Sequence, residues 1–169
     1  GEGWGRPPKP LGREAGERER PYALIFDGTG IRDVAGLKDL QLLIQPRIRA
    51  LAKSGRVVVL GRRPEDQSDP IAASAQHALE GFTRSLAKEL GRKGATANLV
   101  LVGEGAEDRL AGALRFLLSP RSAYVSGQPL ALSRSVRAAA PRWRRPLEGK
   151  VALVTGAARG IGAATARAL

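Results

Sequence analysis

Short apolar segments alternate with amphipathic segments along most of this 169-residue chain, and this alternation limits the possible folds more than any other feature. Four apolar segments are rich in aliphatic and β-branched residues and are bounded by turn residues, as in strands buried on both faces. They read YALIFDGTG, GRVVVLG, ATANLVLV and GQPLALS. Because parallel strands need a long crossover, usually a helix, this order predicts an α/β fold with a doubly wound parallel sheet.

The segments between these runs carry apolar residues at three- and four-residue spacing, which is typical of helices packed on a sheet. Pro46 is expected to kink the first helix, Gly55 to stop it, and Ser74 to cap the second. The positions of the second helix that we expect to face the sheet are Ala75, Ala78, Leu79, Phe82, Leu86 and Leu90. A third helix is predicted over residues 110–117.

The chain divides by composition into four parts. Residues 1–20 hold glycine, proline and alternating charges and are predicted to be a disordered lead-in. The strand and helix pattern fills residues 21–133, a basic linker containing proline covers 134–147, and residues 148–169 begin a second unit with a strand and a helix. The chain contains no methionine, so we expect it to be an excerpt of a longer reading frame that looks truncated.

Charge and composition exclude several functions. The net charge of +12 would suit nucleic acid, but the cations are scattered outside residues 134–145 and aromatic residues make up only 4%, which argues against that partner. The chain has no cysteine and a single histidine, His77, so disulfides and a conventional zinc site are excluded. Because there is neither a signal peptide nor an apolar run of about 18 residues, we expect a cytoplasmic protein without a membrane span.

The sequence VTGAARGIG, at residues 154–162, places three glycines between an apolar run and a helix. It resembles the T-G-x-x-x-G-x-G fingerprint of the short-chain dehydrogenase/reductase family, whose fold is Rossmann-like. The resemblance implies a binding turn for NADP or NAD, in which glycines permit the turn, the close approach of a pyrophosphate and tight helix packing. The residues assigned to cofactor binding are Thr155, Gly156, Arg159, Gly160, Ile161 and Gly162.

The choice of cofactor stays open at this point. Arg159 could meet a 2′-phosphate and so favours NADP weakly over NAD. A tight turn without any ligand is the alternative, and binding to this chain alone is expected to be weak or absent.

The segment SAQHALEGFTRSLAKELGRKGATANLVLVG is similar to the part of the same family that normally reads Y-x-x-S-K before the central helix. The resemblance places the catalytic tyrosine at Ala72, the lysine at Gln76 and the serine on or beside Arg62. Neither Ala72 nor Gln76 can supply the proton donor or lower its pKa. We therefore assign no catalytic residue to this chain and expect residues 21–133 to be a degenerate, incomplete Rossmann-like domain.

The two-part arrangement resembles the high-molecular-weight 3-oxoacyl-acyl-carrier-protein reductases. The resemblance implies strands 4–7 of one unit followed by strand 1 of a second, in a parent protein that reduces 3-oxoacyl thioesters in fatty-acid metabolism. The alternative for this chain is a non-catalytic oligomerisation or substrate-gating module, with homo-oligomer contacts through residues 78–90 and 110–118. We also predict that residues 151–155 return to pair beside residues 23–26, whose edge would otherwise be exposed.

Overall fold

The alternating pattern produces a parallel sheet with helices on both faces. The computed structural model describes residues 20–134 and 147–169, so all but the last residue of the predicted lead-in, and all but the two end residues of the predicted linker, lie outside it. The chain divides into two compact units, Gly1–Val136 and Arg137–Leu169, which are considered separately.

The described part of the first unit, residues 20–134, contains four strands and three α-helices. The strands are β1 (Ala23–Asp27), β2 (Arg56–Arg62), β3 (Thr96–Val102) and β4 (Pro129–Leu132), and the helices are α1 (Val34–Ile48), α2 (Pro70–Leu90) and α3 (Leu110–Leu117). Single 3₁₀ turns occur at Pro64–Asp66, Gly91–Lys93, Glu107–Arg109 and Pro120–Ser122. All neighbouring strands are parallel, in the order β1-β2-β3-β4. The predicted α/β class and the four predicted strands are confirmed.

The core lies on both faces of this sheet because β2 and β3 point alternate side chains to opposite sides. One face packs against α1 and α2 through Val57, Val59 and Leu99, and the other packs against α3 through Val58 and Val100. Every residue of β2 from Arg56 to Gly61 is buried. Burial on both faces explains why this strand reads as a continuous apolar run in the sequence.

Helix α1 ends earlier than the sequence suggested. Pro46 lies inside its last turn, and the helix stops at Ile48, well before Gly55. The ammonium of Lys93 donates to the carbonyl oxygens of Ile48 and Arg49 at 3.2 and 2.8 Å. These bonds satisfy carbonyls that a helix end leaves without partners, so a distant cation fixes the end of α1.

Helix α2 begins before the expected cap. Ser74 lies inside the helix, and the cap is Asp69, whose carboxylate accepts from the backbone N–H groups of Ile71 and Ala72 at 3.1 and 3.3 Å. Pro70 occupies the first helical position, where its missing N–H costs nothing. The Asp-Pro pair was therefore the better start signal, and the assignment to Ser74 is wrong.

Replacement of Asp69 by alanine is expected to lower the free energy of unfolding by about 1 kcal/mol, because two N–H groups lose their acceptor. The Ser74→Ala variant is the matched control and should change it by less than about 0.5 kcal/mol, since that side chain is exposed inside the helix. Urea denaturation followed by circular dichroism measures both. Equal effects of the two substitutions would contradict the assignment of the cap.

The second unit contains a helix, α4 (Gly160–Ala168), but not the predicted strand. Residues 151–154 have no strand assignment, and Val151 and Leu153 are 101% and 92% exposed. The prediction that residues 151–155 pair beside residues 23–26 is wrong, because the sheet that contains β1 has four strands and β1 pairs with β2. A strand requires a hydrogen-bonding neighbour, and residues 147–169 provide no second extended segment.

The sequence also predicts that no helix spans a membrane. Within residues 20–134 and 147–169, none is both long enough and apolar enough to cross a bilayer.

Candidate functional site

The loops that follow β1 and β2 meet α2 at one edge of the sheet, which we call the carboxyl edge because the strands end there. Gln76 of α2 joins them. Its side-chain amide N–H groups donate to the carbonyl oxygens of Gly28 and Ile31 at 2.9 and 2.8 Å, and its Oε1 accepts from the backbone N–H of Arg62 at 2.7 Å. Gln76 is 0% exposed, so both amide hydrogens and the oxygen are used in a place without water.

There is little free space around the Gln76 amide. A Cβ atom built on Gly61 would lie 2.9 Å from Leu79 Cδ1 and 3.0 Å from Gln76 Oε1, so a larger residue there would force these side chains to shift. Ala72, one turn before Gln76, is 1% exposed. Positions 72 and 76, where the family resemblance places the tyrosine and the lysine, are therefore part of the protein interior.

Arg62 also has a structural role. Its guanidinium forms an ion pair with Glu107 at 2.8 Å and donates to the carbonyl oxygen of Val102 at 3.3 Å. The hydrogen bond from Arg62, followed by a backbone hydrogen bond, lowers the pKa of the exposed Glu107 carboxyl below its ordinary value. Arg62 thus connects the ends of β2 and β3 and offers no nucleophile.

Asp27, at the end of β1, caps a turn. Its Oδ1 accepts from the backbone N–H and the hydroxyl of Thr29 at 3.0 and 2.6 Å. This is an Asx turn, in which the carboxylate stabilises the loop. At the carboxyl edge, the polar groups named so far all have protein partners and none forms an acid–base pair for catalysis. Within the described ranges there is no cluster of three or more His, Asp and Glu residues that could hold a metal ion.

The glycine turn of the second unit has the backbone conformation that its sequence demands. Gly156 and Gly160 have φ values of +65° and +61°, which residues with a side chain rarely adopt. A Cβ atom on Gly162 would collide with the carbonyl oxygen of Gly156, so the turn folds back directly onto the first turn of α4. A Cβ atom on Gly160 would have no neighbour within 4 Å, which leaves the backbone at that position accessible.

These features make the turn suitable for an anionic group. The N-terminus of α4 starts at Gly160, and its free N–H groups and dipole favour phosphate. Arg159 precedes the helix in an extended conformation, and its side chain makes no capping bond to the helix. Thr155, Arg159 and Ile161 are exposed, Ile161 by 87%. The six predicted cofactor residues thus form one continuous turn.

The sequence identified position 76 but not its role. Gln76 was considered only as the loss of a lysine, although it lies on the buried face of α2 with Ala72, Leu79 and Thr83. A glutamine on an apolar face must satisfy its amide inside the protein, and that was the available signal. The same face was predicted only in part, because Ala78 is exposed and Thr83 replaces it in the interior.

The sheet and its helices are similar to those of several solved dehydrogenase structures. A short-chain dehydrogenase/reductase from Serratia marcescens is similar with a TM-score of 0.53 and 22% identity, over 65% of this chain and 63% of that chain. A short-chain dehydrogenase from Burkholderia cenocepacia in complex with NADP is similar with a TM-score of 0.51 and 22% identity, over 66% of this chain and 63% of that chain. An acetoin dehydrogenase from Salmonella typhimurium is similar with a TM-score of 0.52 and 23% identity, over 65% of this chain and 61% of that chain.

The likeness to these structures establishes the fold of the chain, which spans less than two thirds of the length of each. No family model matches the sequence, and no curated protein matches it.

Proposed function

We propose that the chain is part of an NAD(P)-dependent oxidoreductase of the short-chain dehydrogenase/reductase family and has no catalytic activity on its own. The observation that carries the proposal is the close packing of Gly162 on Gly156 at the start of α4, with the open backbone of Gly160 between them. The three glycines stand at the spacing of the family fingerprint, and the parallel sheet has the family's architecture. The turn and the fold thus support the same class of protein.

In this proposal the residues of the turn hold the pyrophosphate of the cofactor. The N–H groups at the start of α4 donate to phosphate oxygens, Gly160 allows their close approach, and Arg159 pairs with a phosphate. The bound nicotinamide supplies the hydride. The exposed Arg159 favours NADP, and the similar Burkholderia cenocepacia protein is described in complex with NADP.

The proposed lack of catalysis is supported by the side chains at the carboxyl edge. A proton donor is needed when a hydride reaches a carbonyl carbon, because the oxygen would otherwise carry a full negative charge. Ala72 has no proton to give, and the amide of Gln76 is already bonded to three backbone groups. For the whole protein we propose a 3-oxoacyl thioester as substrate, from the resemblance of PLEGKVALVTGAARGIG to the high-molecular-weight reductases.

The Gly162→Ala variant tests the cofactor turn. We expect its affinity for NADPH to fall by about tenfold or more, because the new methyl group collides with the Gly156 carbonyl and opens the turn. NMR titration with NADPH suits weak binding and should shift the amide resonances of Gly156, Gly160 and Ile161 in the unsubstituted chain.

The Gly81→Ala variant is the control, since Gly81 lies inside α2, in the first unit, and a Cβ atom there has no neighbour within 4 Å. It should bind NADPH as the unsubstituted chain does. If NADPH shifts none of the three amides, or shifts them equally in Gly162→Ala, the assignment of this turn to the cofactor fails.

A second candidate is a non-catalytic oligomerisation or gating module. It is supported by a groove of about 230 Å³ between α1 and α2, lined by apolar side chains that include Ile44, Ile48 and the half-buried Phe82. On α3, Phe116 is 40% exposed. Self-association through α2 and α3 would cover both features. Sedimentation velocity tests it, because a monomer over a wide concentration range would exclude this candidate.

A further inference from the structure

A group of basic residues lies at the end of the sheet where the strands begin, opposite the carboxyl edge. A groove of about 800 Å³ is formed by Arg20 (three residues before β1), the loop between α1 and β2, and the turn after α2. We call it the basic groove, and its lining residues are Arg20, Arg49, Ala50, Leu51, Ala52, Lys53, Arg92 and Lys93. Because it lies where the strands begin, it is separated from the carboxyl edge by the length of the sheet.

The lining of the basic groove has one sign of charge. Five of its eight residues are arginine or lysine, and none is aspartate or glutamate. The side chains of Arg20, Arg49, Lys53 and Arg92 are exposed, and none of these four side chains forms a hydrogen bond or ion pair with another residue of the described ranges. Like charges that converge without counterions repel one another, and an anion in the groove would remove that cost.

One cation in the groove is held in a fixed position. Lys93 donates to the carbonyl oxygens of Ile48 and Arg49, so its ammonium cannot swing freely into solvent. The backbone N–H of Ser54 in turn donates to the carbonyl oxygen of Lys93 at 3.0 Å. These bonds connect the end of α1, the loop before β2 and the turn after α2, and so give the groove a defined frame.

Cations near the ends of α1 and α2 also complement the helix dipoles, as they do on many proteins. That effect explains Lys93, which bonds the terminal carbonyls of α1. It does not explain Arg20 and Lys53, which lie outside both helices and face the same groove. The convergence of cations from three separate segments is the feature that requires a ligand.

The size and lining of the groove define that ligand. Its volume lies within the range of about 300–1,000 Å³ found for small-molecule sites. A chain of phosphates offers several anionic groups to the cations of three segments, where a single phosphate offers one. The lining contains no aromatic side chain on which a nucleic-acid base could stack. Arginine forks suit phosphate oxygens. We propose that the basic groove binds a small molecule that carries a chain of phosphates.

Calorimetric titration of the full chain with inorganic tripolyphosphate tests this proposal. We expect saturable binding at low ionic strength, weakened at about 0.15 M salt. The double variant Arg49→Gln/Arg92→Gln should bind about fivefold or more weakly. The control Lys38→Gln/Lys88→Gln removes the same charge from exposed positions of α1 and α2 outside the groove and should change affinity less than about twofold.

Two further titrations separate the possible sources of the phosphates. Equal affinity for ATP and tripolyphosphate indicates recognition of the phosphate chain alone, and tighter binding of ATP indicates a nucleotide. If tripolyphosphate still binds to the Gly162→Ala variant, the basic groove and the cofactor turn are separate sites. Three results would overturn the proposal: no saturable binding, equal losses in the two double variants, or a polyglutamate peptide that binds as tightly as tripolyphosphate.

Discussion

Replacement of Gln76 by alanine is expected to lower the free energy of unfolding by about 3 kcal/mol or more. The side chain makes three hydrogen bonds, and its loss leaves the carbonyl oxygen of Ile31 and the N–H of Arg62 without these partners, while the Gly28 carbonyl keeps only its bond from the N–H of Ile31. Water can reach these groups only through a new cavity under α2. Urea denaturation followed by circular dichroism measures the loss.

The control is Gln41→Ala on α1, where the exposed amide makes a single long contact of 3.5 Å with Gln45. Its effect should stay within about 0.5 kcal/mol. Equal effects of the two substitutions would show that the amide of Gln76 does not hold the carboxyl edge together.

The Gln76→Glu variant keeps the size of the side chain but removes the amide donors. Burial next to the carbonyl oxygens of Gly28 and Ile31 disfavours the carboxylate, so the folded-state pKa of Glu at this position should lie above its unfolded value. Stability is then greatest below the unfolded pKa and is lost as pH rises through the folded pKa. Unfolding midpoints that do not fall with rising pH would contradict this environment.

Replacement of Arg56 by alanine should also lower the free energy of unfolding by about 3 kcal/mol. Arg56 begins β2 and is only 2% exposed. Its guanidinium donates to the carbonyl oxygens of Ser54, Gly55 and Ser119 at 2.6, 3.1 and 3.4 Å, and it lies 5.9 Å from the centre of the Tyr22 ring. The substitution removes all these contacts and leaves a cavity.

The exposed Arg92 provides the matched control, because its replacement by alanine removes the same charge without buried contacts. That variant should change the free energy of unfolding by less than about 0.5 kcal/mol. Thermal denaturation of the two variants side by side measures the difference. An Arg56→Ala variant as stable as Arg92→Ala would mean that the buried guanidinium contributes nothing net.

Much of the fold could be predicted because its signals are local. The β2 segment is buried on both faces, so its sequence is continuously apolar, and the alternation of strands with helices implied parallel order. Helix boundaries were less certain because competing signals lie close together. Asp69 and Ser74 are both good caps, and only the preceding chain geometry selects Asp69.

The features that failed depend on partners distant in sequence. An apolar run such as residues 151–155 has strand propensity, but propensity without a neighbouring strand does not make a sheet. The three partners of Gln76 lie 14 to 48 residues away, so its bonds are visible only when the strands are in place. The basic groove was missed for the same reason, because Arg20, Lys53 and Arg92 belong to separate segments.

The glycine turn at residues 154–162, by contrast, depends on residues that are adjacent in the sequence. The positive φ angles of Gly156 and Gly160 and the close packing of Gly162 arise from adjacent residues, so the glycine spacing predicted a tight turn, though not these angles. The turn depends on local sequence, whereas catalysis in this fold would need groups at the carboxyl edge. We propose that this chain keeps the turn and the sheet and lacks a proton donor for catalysis.

The most direct test is an assay of NADPH oxidation by this chain with an acetoacetyl thioester as substrate. We predict a rate no greater than that of a blank without protein, because Ala72 and Gln76 supply no proton to the developing oxyanion. Turnover above the blank that is lost in Gly162→Ala and kept in Gly81→Ala would contradict this proposal.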